Sequence, residues 1–142
     1  MGRFSAFGWS VLVLMVSLVV LAGCATTSPT AARDTLIQQR AQARWDAILA
    51  RDYATAYAYA TPGYRSATSA TDFEIDLRSR RVQYTSGAYK DHSCEEAACT
   101  VRILVGYKVA RPVAGLSEWN GNSLLEEQWV FSQGEWWFLP EK

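Results

Sequence analysis

The chain has 142 residues, of which 14 are basic and 14 acidic, so its formal net charge at neutral pH is zero. A balanced charge leaves no basic field that could hold a nucleic acid, and we exclude nucleic acid as a partner. Residues 24–142 are enough for one domain with a single hydrophobic core. The chain holds six tryptophans and seven tyrosines, which are many for this size, and of the tryptophans only Trp9 precedes residue 24.

The N-terminal segment has the features of a secretory signal. A short, positively charged start, Met1-Gly2-Arg3, is followed by a mostly apolar run over residues 4–20. The run leads into Leu21-Ala22-Gly23-Cys24, in which two small residues stand directly before a cysteine. An uncleaved membrane anchor is the alternative, because about 20 apolar residues can span a bilayer. The small residues favour cleavage, and they predict residues 1–23 as a signal peptide.

Residues 21–24 resemble the lipobox of bacterial lipoproteins. The resemblance implies that the Cys24 thiol receives a diacylglyceryl group, that the chain is cut before Cys24, and that the new amino end is acylated, as with palmitate. Several acyl chains anchor a protein stably, whereas one alone binds only marginally. The membrane is then a partner through the lipid. Ala25 stands where an aspartate retains lipoproteins at the inner membrane, so we expect the periplasmic face of the outer membrane.

The chain accordingly divides into three parts. Residues 1–23 are the signal peptide, residues 24–33 are the lipidated cysteine and a tether, and residues 34–142 are the domain. The tether is small and polar and contains Pro29. Because it is short, the domain is expected to stay close to the membrane surface.

The two remaining cysteines, Cys94 and Cys99, predict a disulfide. An exported domain lies in an oxidising compartment, where such bonds persist. A zinc site is the competing interpretation of the Cys-x4-Cys spacing. Zinc normally takes four ligands, and His92 is the only histidine of the chain. The sequence therefore predicts neither a metal site nor another cofactor.

Three helices are expected at the start of the domain. Apolar residues recur at helical spacing over residues 37–48, which predicts the first helix, beginning near residue 31 or 34. The second helix follows Asp52, a candidate N-cap, and ends at residues 61–63, Thr-Pro-Gly. The third helix begins at a capping box formed by Thr71 and Glu74.

The pattern then changes from helical spacing to alternation, which predicts four antiparallel strands. The strands are expected at about residues 82–93, 101–109, 124–131 and 135–139. Residues 111–122 are predicted to be a long connection. A two-residue turn at Gln133-Gly134 would pair two sets of aromatic residues across the last hairpin: Phe131 with Trp136, and Trp129 with Phe138.

The cysteine pair also predicts the register of the first hairpin. If the two cysteines face each other, Asp91 lies opposite Arg102, which is a favourable charge pair. In the same register Gly87 lies opposite Gly106. Two facing positions without side chains allow a sharp bend, so we expect a curved sheet.

Three N-terminal helices packed on a curved, four-stranded antiparallel sheet form an α+β fold. Several segments resemble the nuclear-transport-factor-2-like superfamily, whose fold is a cone-shaped α+β domain: Trp45, the turn of residues 51–53, Tyr57, residues 61–65 and the aromatic closing hairpin. Members of that superfamily include ketosteroid isomerases, polyketide cyclases, dehydratases, small-molecule binders and structural interaction domains. The resemblance therefore implies the fold and leaves the activity open.

The resemblance implies a cone whose interior can hold chemistry. Its expected lining is aromatic: Trp45, Tyr57, Tyr84, Tyr107, Trp129 and Phe138. Enzymes of the superfamily use a carboxylate base, and Glu127 is the candidate because it shares the aromatic face with Trp129, while a tyrosine could stabilise an oxyanion. The alternative is a glutamate at the rim, paired with an arginine from the third helix. His92 is expected to be an ordinary solvent-facing histidine at a hairpin tip.

The favoured function is a lipid-anchored periplasmic protein that acts as a non-enzymatic module and binds an envelope protein or an apolar small molecule. The alternative is a small isomerase or hydro-lyase that uses Glu127. A filled cone favours the module, and an empty cone with Glu127 inside favours the enzyme. We expect the core to be closed or nearly closed.

Overall fold

The computed structural model describes residues 28–141, so the signal segment and Cys24 lie outside the described residues. Within that range, four helices precede four strands. The helices are α1 (Pro29–Leu49), α2 (Tyr53–Ala58), α3 (Pro62–Ala67) and α4 (Ala70–Ser79). The strands are β1 (Val82–Glu95), β2 (Ala98–Val113), β3 (Leu116–Ser132) and β4 (Glu135–Leu139).

The sheet is antiparallel, and its strand order is β1-β2-β3-β4. The predicted α+β class with four antiparallel strands is therefore confirmed. Among the described residues, no helix has the length and apolarity needed to cross a membrane.

Helix α1 begins earlier than Asp34, where the sequence analysis placed the start of the domain. Ser28 is the N-cap, and its Oγ accepts a hydrogen bond from the backbone N–H of Ala31 at 3.2 Å. Pro29 fits the first helical turn because the amide that it lacks has no partner there. Residues 29–33, which we assigned to the tether, are therefore helical. The predicted apolar face is buried, with Ile37 fully inaccessible.

The described residues contain a helix that the sequence analysis did not predict, α3. Residues 61–63 were expected to end the second helix, but α2 already ends at Ala58. Thr61 instead caps α3, and its Oγ1 accepts a hydrogen bond from the N–H of Tyr64 at 3.2 Å. The segment before the cap pairs with the last strand, since Phe138 N–H donates to Tyr59 O at 2.8 Å. A Thr-Pro pair suits the start of a helix as well as its end.

The N-cap of α4 is Ser69, so the predicted capping box at Thr71 and Glu74 is wrong. The Oγ of Ser69 accepts from the N–H of Asp72 at 3.1 Å and donates to its carboxylate at 2.7 Å. The Glu74 carboxylate pairs with Arg78 one turn later, at 2.8 Å. The cap therefore lies two residues earlier than predicted, with a serine that bonds both the N–H and the carboxylate of Asp72.

The predicted register of the first hairpin holds at its cysteine end and fails beyond Lys90. Lys90 and Thr85 are skipped in the β1–β2 ladder, so each forms an irregularity of the bulge type. The shift leaves Gly87 opposite Val105, and the predicted facing of Gly87 and Gly106 is wrong. Bulges bend a strand locally and increase its twist.

Gly87 has a different role, which is to let α1 approach β1 closely. A Cβ atom at this position would lie 2.7 Å from Cε3 of Trp45. The side chain of Gln42 bonds the same stretch of strand, donating to Gly87 O at 3.0 Å and accepting from Tyr89 N–H at 2.9 Å. This approach positions Trp45 under the sheet.

Strands β2 and β3 are longer than predicted. Residues 111–122 are not a connection, because β2 runs to Val113 and β3 starts at Leu116. Gly115 forms the tight turn between them, with a φ of 86°. Beyond Val109 the two strands pair only with each other among the described residues, forming a two-stranded arm.

The last hairpin is as predicted. Gln133 and Gly134 form the turn, with φ values of 54° and 82°. Both aromatic pairs are present across it: Phe131 with Trp136, and Trp129 with Phe138. The core lies between α1 and the sheet face that carries Trp129.

Candidate functional site

A cavity of about 310 Å³ lies among α1, α4, β3 and the end of β4. We call it the central cavity. Its apolar wall includes Trp45, Tyr84, Leu125 and Phe138. The charged residues of the lining are Arg44, Arg80, Asp76, Glu126, Glu127 and Glu141. The closed or nearly closed core stays a prediction, and the largest core side chains, Trp129 and Trp136, are buried.

Arg44 and Glu127 in this wall form a buried ion pair. Nη1 of Arg44 lies 2.6 Å from Oε1 of Glu127, and the two side chains are only 6% and 7% exposed. The indole Nε1–H of Trp45 donates to the same oxygen at 2.8 Å, and that of Trp129 donates to Oε2 at 3.2 Å. The carboxylate thus accepts three hydrogen bonds, as a buried charge requires.

The burial and the partner of Glu127 differ from those expected. The alternative placed it at a rim beside an arginine of the third helix, but it is buried and its partner Arg44 belongs to α1. The sequence analysis did not predict Arg44 as a site residue, because arginine is seldom buried. Its spacing from Ile37 and Ile48 does fit the buried stripe, and this was the signal that the sequence analysis missed.

The Arg44 guanidinium has an incomplete set of partners. Its Cζ lies 3.6 Å from the centroid of the Phe138 ring, which is a cation–π contact. Its Nε is buried and has no hydrogen-bond partner among the described residues. Burial lowers the pKa of Arg44, and the Glu127 carboxylate acts against that effect. An unpaired buried donor costs about 1–3 kcal/mol.

The geometry does not suit Glu127 to acid–base chemistry. A general base needs an oxygen within reach of the substrate proton. Here Oε1 already accepts from a guanidinium and an indole, and Oε2 accepts from a second indole. To take up a proton, the carboxylate would have to give up the charge that balances Arg44. The three hydrogen bonds instead hold the Glu127 side chain in one position in the wall of the cavity.

Three of the six expected lining residues line the central cavity: Trp45, Tyr84 and Phe138. Trp45 and Tyr84 pack edge to face, with ring centroids 5.0 Å apart. Trp129 is fully buried and contributes its indole N–H to Glu127.

The other two expected lining residues lie elsewhere. The hydroxyl of Tyr57 donates to the backbone oxygens of Arg65 and Thr68, at 3.1 and 2.7 Å. The ring of Tyr107 packs against Trp119 on the arm, with centroids 6.0 Å apart. Of the three tyrosines expected in the lining, Tyr84 is the one in the cavity wall.

Cys94 and Cys99 form the predicted disulfide near the tip of the first hairpin. His92 next to it is not solvent-facing, because its side chain is only 16% exposed. Its Nδ1 hydrogen-bonds to the hydroxyl of Tyr89 at 2.5 Å, and its Nε2 lies 3.4 Å from a carboxylate oxygen of Asp34.

Asp34, His92 and Cys94 bring potential ligand atoms within 4.8 Å of one another. A disulfide sulfur is not the thiolate that binds a metal. In this oxidised form the cluster therefore offers a carboxylate and an imidazole, which is half of a four-ligand zinc set.

No protein-family model and no curated protein matches this chain.

Proposed function

We propose that this protein is a lipid-anchored envelope protein whose domain binds a small, largely apolar ligand in the central cavity without transforming it. The observation that carries the proposal is the cavity wall itself. Trp45, Tyr84, Leu125 and Phe138 supply the apolar surface, and the charged side chains of the lining supply polar contacts. Ligand sites are commonly apolar clefts with a few polar groups of this kind.

The anchor is supported by the sequence before the domain. Residues 21–24 have the lipobox pattern, and Arg3 precedes the apolar run. Helix α1 begins at Pro29. The few residues between Cys24 and Pro29 can span at most about 18 Å when fully extended, so a lipid on Cys24 would hold the domain near the membrane. Ala25 favours the outer membrane by the analogy given above.

We also propose that the domain is a small member of the nuclear-transport-factor-2-like superfamily, with a curved sheet. The order of helices before an antiparallel sheet supports this membership. The bulges at Thr85 and Lys90 support the curvature. A binding role needs no catalytic group and is compatible with a fold that serves several functions.

An isomerase or hydro-lyase that uses Glu127 is the second candidate. It is favoured by the position of Glu127 in the wall of an open cavity. The three donors on the carboxylate count against it, since a base needs a free oxygen and a replaceable charge. We therefore rank ligand binding first.

The test compares two neighbouring leucines on opposite faces of β3. Leu125 lines the central cavity, and Leu124 is 49% exposed on the other face. Thermal melts of the full chain are recorded in nonionic detergent with increasing 1-hexanol, which combines an alkyl chain with a hydrogen-bonding oxygen. A ligand that binds only the folded state raises the melting temperature with concentration.

We expect a rise with 1-hexanol in the wild type and in the control Leu124→Trp. In Leu125→Trp the new side chain fills the cavity, and the rise should disappear. The proposal is wrong if 1-hexanol leaves the wild-type melting temperature unchanged, or if Leu125→Trp responds as the wild type does.

A further inference from the structure

A second cavity of about 400 Å³ lies where the end of α1 meets α4 and the start of β1. Its charged lining is mostly basic, with Arg51, Arg78, Arg80 and Lys108 against one acid, Glu74. We call it the cationic cavity. In a chain with no net charge, this is a local excess of positive charge.

Acidic partners neutralise part of this charge. Arg78 pairs with Glu74 at 2.8 Å, and Arg80 pairs with Asp76 at 2.6 Å. Lys108 lies 3.8 Å from a carboxylate oxygen of Glu118, at the limit of an ion pair.

Arg51 forms no ion pair with the residues described. The cationic cavity thus keeps one fully uncompensated guanidinium and one weakly paired ammonium. An anion is the ligand that such a lining complements.

The backbone at Arg51 has an unusual conformation. Its φ is 60°, in the left-handed region that glycine adopts most readily. This position directly follows the C-cap of α1, where glycine is the common residue. An arginine here places a long cationic side chain at the cavity, and strained backbone of this kind clusters at ligand sites.

The two cavities adjoin, because four residues line both of them: Ile48, Leu77, Arg80 and Tyr84. A ligand that spans these shared residues would place an apolar part in the central cavity and an anionic end in the cationic cavity. We propose that the ligand is an anionic amphiphile, an alkyl or similar apolar chain that carries a phosphate or carboxylate group. This inference rests on the proposed function for the apolar part, whereas the anion site stands on the basic lining.

The test measures binding of four soluble probes to the full chain in zwitterionic nanodiscs, by tryptophan fluorescence and thermal melts. The probes are hexyl phosphate, heptanoate, 1-hexanol and inorganic phosphate. The first two separate the two anionic groups, the third lacks the anion, and the fourth lacks the apolar chain. Arg51→Gln and Lys108→Gln remove the two least compensated cations, and Arg81→Gln is the control because Arg81 is exposed and lies outside the lining.

We expect hexyl phosphate or heptanoate to bind more tightly than both 1-hexanol and inorganic phosphate. Loss of a charged hydrogen bond weakens binding by about tenfold or more. Arg51→Gln should therefore weaken the binding of the anionic amphiphile by that factor. Lys108→Gln should weaken this binding less, and Arg81→Gln should leave the affinity for the anionic amphiphile unchanged. Binding of 1-hexanol should be the same in all four proteins.

Three results would overturn the inference, and they differ in what they say of the central cavity. If 1-hexanol binds as tightly as the anionic probes and Arg51→Gln has no effect, the anion site is wrong while apolar binding stands. If inorganic phosphate binds as tightly as hexyl phosphate, the apolar chain is not part of recognition. If none of the probes binds, both proposals are wrong.

Discussion

At the scale of single residues, the character of the central cavity depends on two buried charges. Arg44 and Glu127 neutralise each other, and the indole N–H groups of two tryptophans also donate hydrogen bonds to the Glu127 carboxylate. A buried pair is weak evidence of net stabilisation, because desolvation offsets the attraction. Removal of one partner is different, since it leaves an uncompensated charge inside the protein.

We predict that Glu127→Gln lowers the free energy of unfolding by about 3–5 kcal/mol, because Arg44 loses its counterion. The matched control is Glu126→Gln on the exposed face, which should change stability by less than about 0.5 kcal/mol. Urea unfolding followed by fluorescence measures both.

The double variant Arg44→Met, Glu127→Leu separates the loss of the pair from the loss of one charge. Replacing both partners with apolar groups is often close to neutral, so the double variant should be more stable than Glu127→Gln. Equal stability of Glu127→Gln and the wild type would contradict the prediction, because it would show that the ion pair contributes nothing to the free energy of unfolding.

Asp52 provides a pH-dependent contribution. The hydrogen bond from Thr55 lowers the pKa of its carboxylate below the ordinary value of 3.8. A group whose pKa is lowered in the folded state stabilises the protein above its unfolded pKa, and this stabilisation is lost as the pH falls through the folded pKa.

We therefore predict that acidification from about pH 5 to about pH 2 removes stability from the wild type that Asp52→Asn does not lose. Asparagine also caps a helix but does not titrate, so Asp52→Asn keeps the cap and removes only the titrating charge. Urea melts across that range measure the difference, and parallel pH profiles of the two proteins would contradict the prediction.

At the scale of elements, the contact between α1 and β1 fixes where the site lies. We predict that Gly87→Ala lowers the free energy of unfolding by about 1–3 kcal/mol, because the new methyl group would lie 2.7 Å from Trp45. Gly63→Ala is the control, since nothing lies within 4 Å of a Cβ there and alanine suits a helix better. Thermal melts that show equal changes for the two variants would rule out the close approach.

The same contact explains what the sequence could and could not predict about the sheet. Alternation predicted four strands, and the Gln133-Gly134 turn predicted the last hairpin with its aromatic pairs, because both signals are local. Next to the bulge at Lys90, Gln42 donates to Gly87 O and accepts from Tyr89 N–H, contacts between residues more than 40 positions apart in sequence. No local pattern in β1 contains that information, so the predicted facing of two glycines was wrong.

The residues of the candidate site were likewise predicted only in part from the sequence. Glu127 and three lining residues followed from alternation on one strand face and from the family resemblance. Arg44 was missed because a charged residue is normally assigned to solvent. The cationic cavity was missed because its basic residues come from three separate segments that meet only in the folded chain.

At the scale of the whole molecule, the start of α1 and the arm lie at opposite ends of the sheet. Asp34 near the start of α1 reaches His92 close to the disulfide hairpin. The arm extends from the other end of the sheet, beyond Val109. A lipid on Cys24 would thus hold the disulfide end near the membrane and direct the arm away from it.

We predict that Cys24→Ala abolishes labelling by radioactive palmitate and releases the protein from the membrane fraction, because the acceptor thiol is gone. Cys94→Ala is the matched control, since it removes a cysteine of the disulfide and should leave labelling intact. Retention of label by Cys24→Ala would refute the lipobox interpretation.

The central claim is that the cavity bounded by Arg44 and Glu127 binds a ligand, and the indole signal of Trp45 tests it most directly. Trp45 lines the cavity and donates its Nε1–H to Glu127, whereas Trp119 is 52% exposed on the arm. The measurement is a titration of the ¹⁵N-labelled full chain with 1-hexanol, followed by the indole N–H resonances. We predict a saturable shift of the Trp45 signal and no shift of the Trp119 signal. An unchanged Trp45 resonance, or equal shifts of the two, would contradict the account.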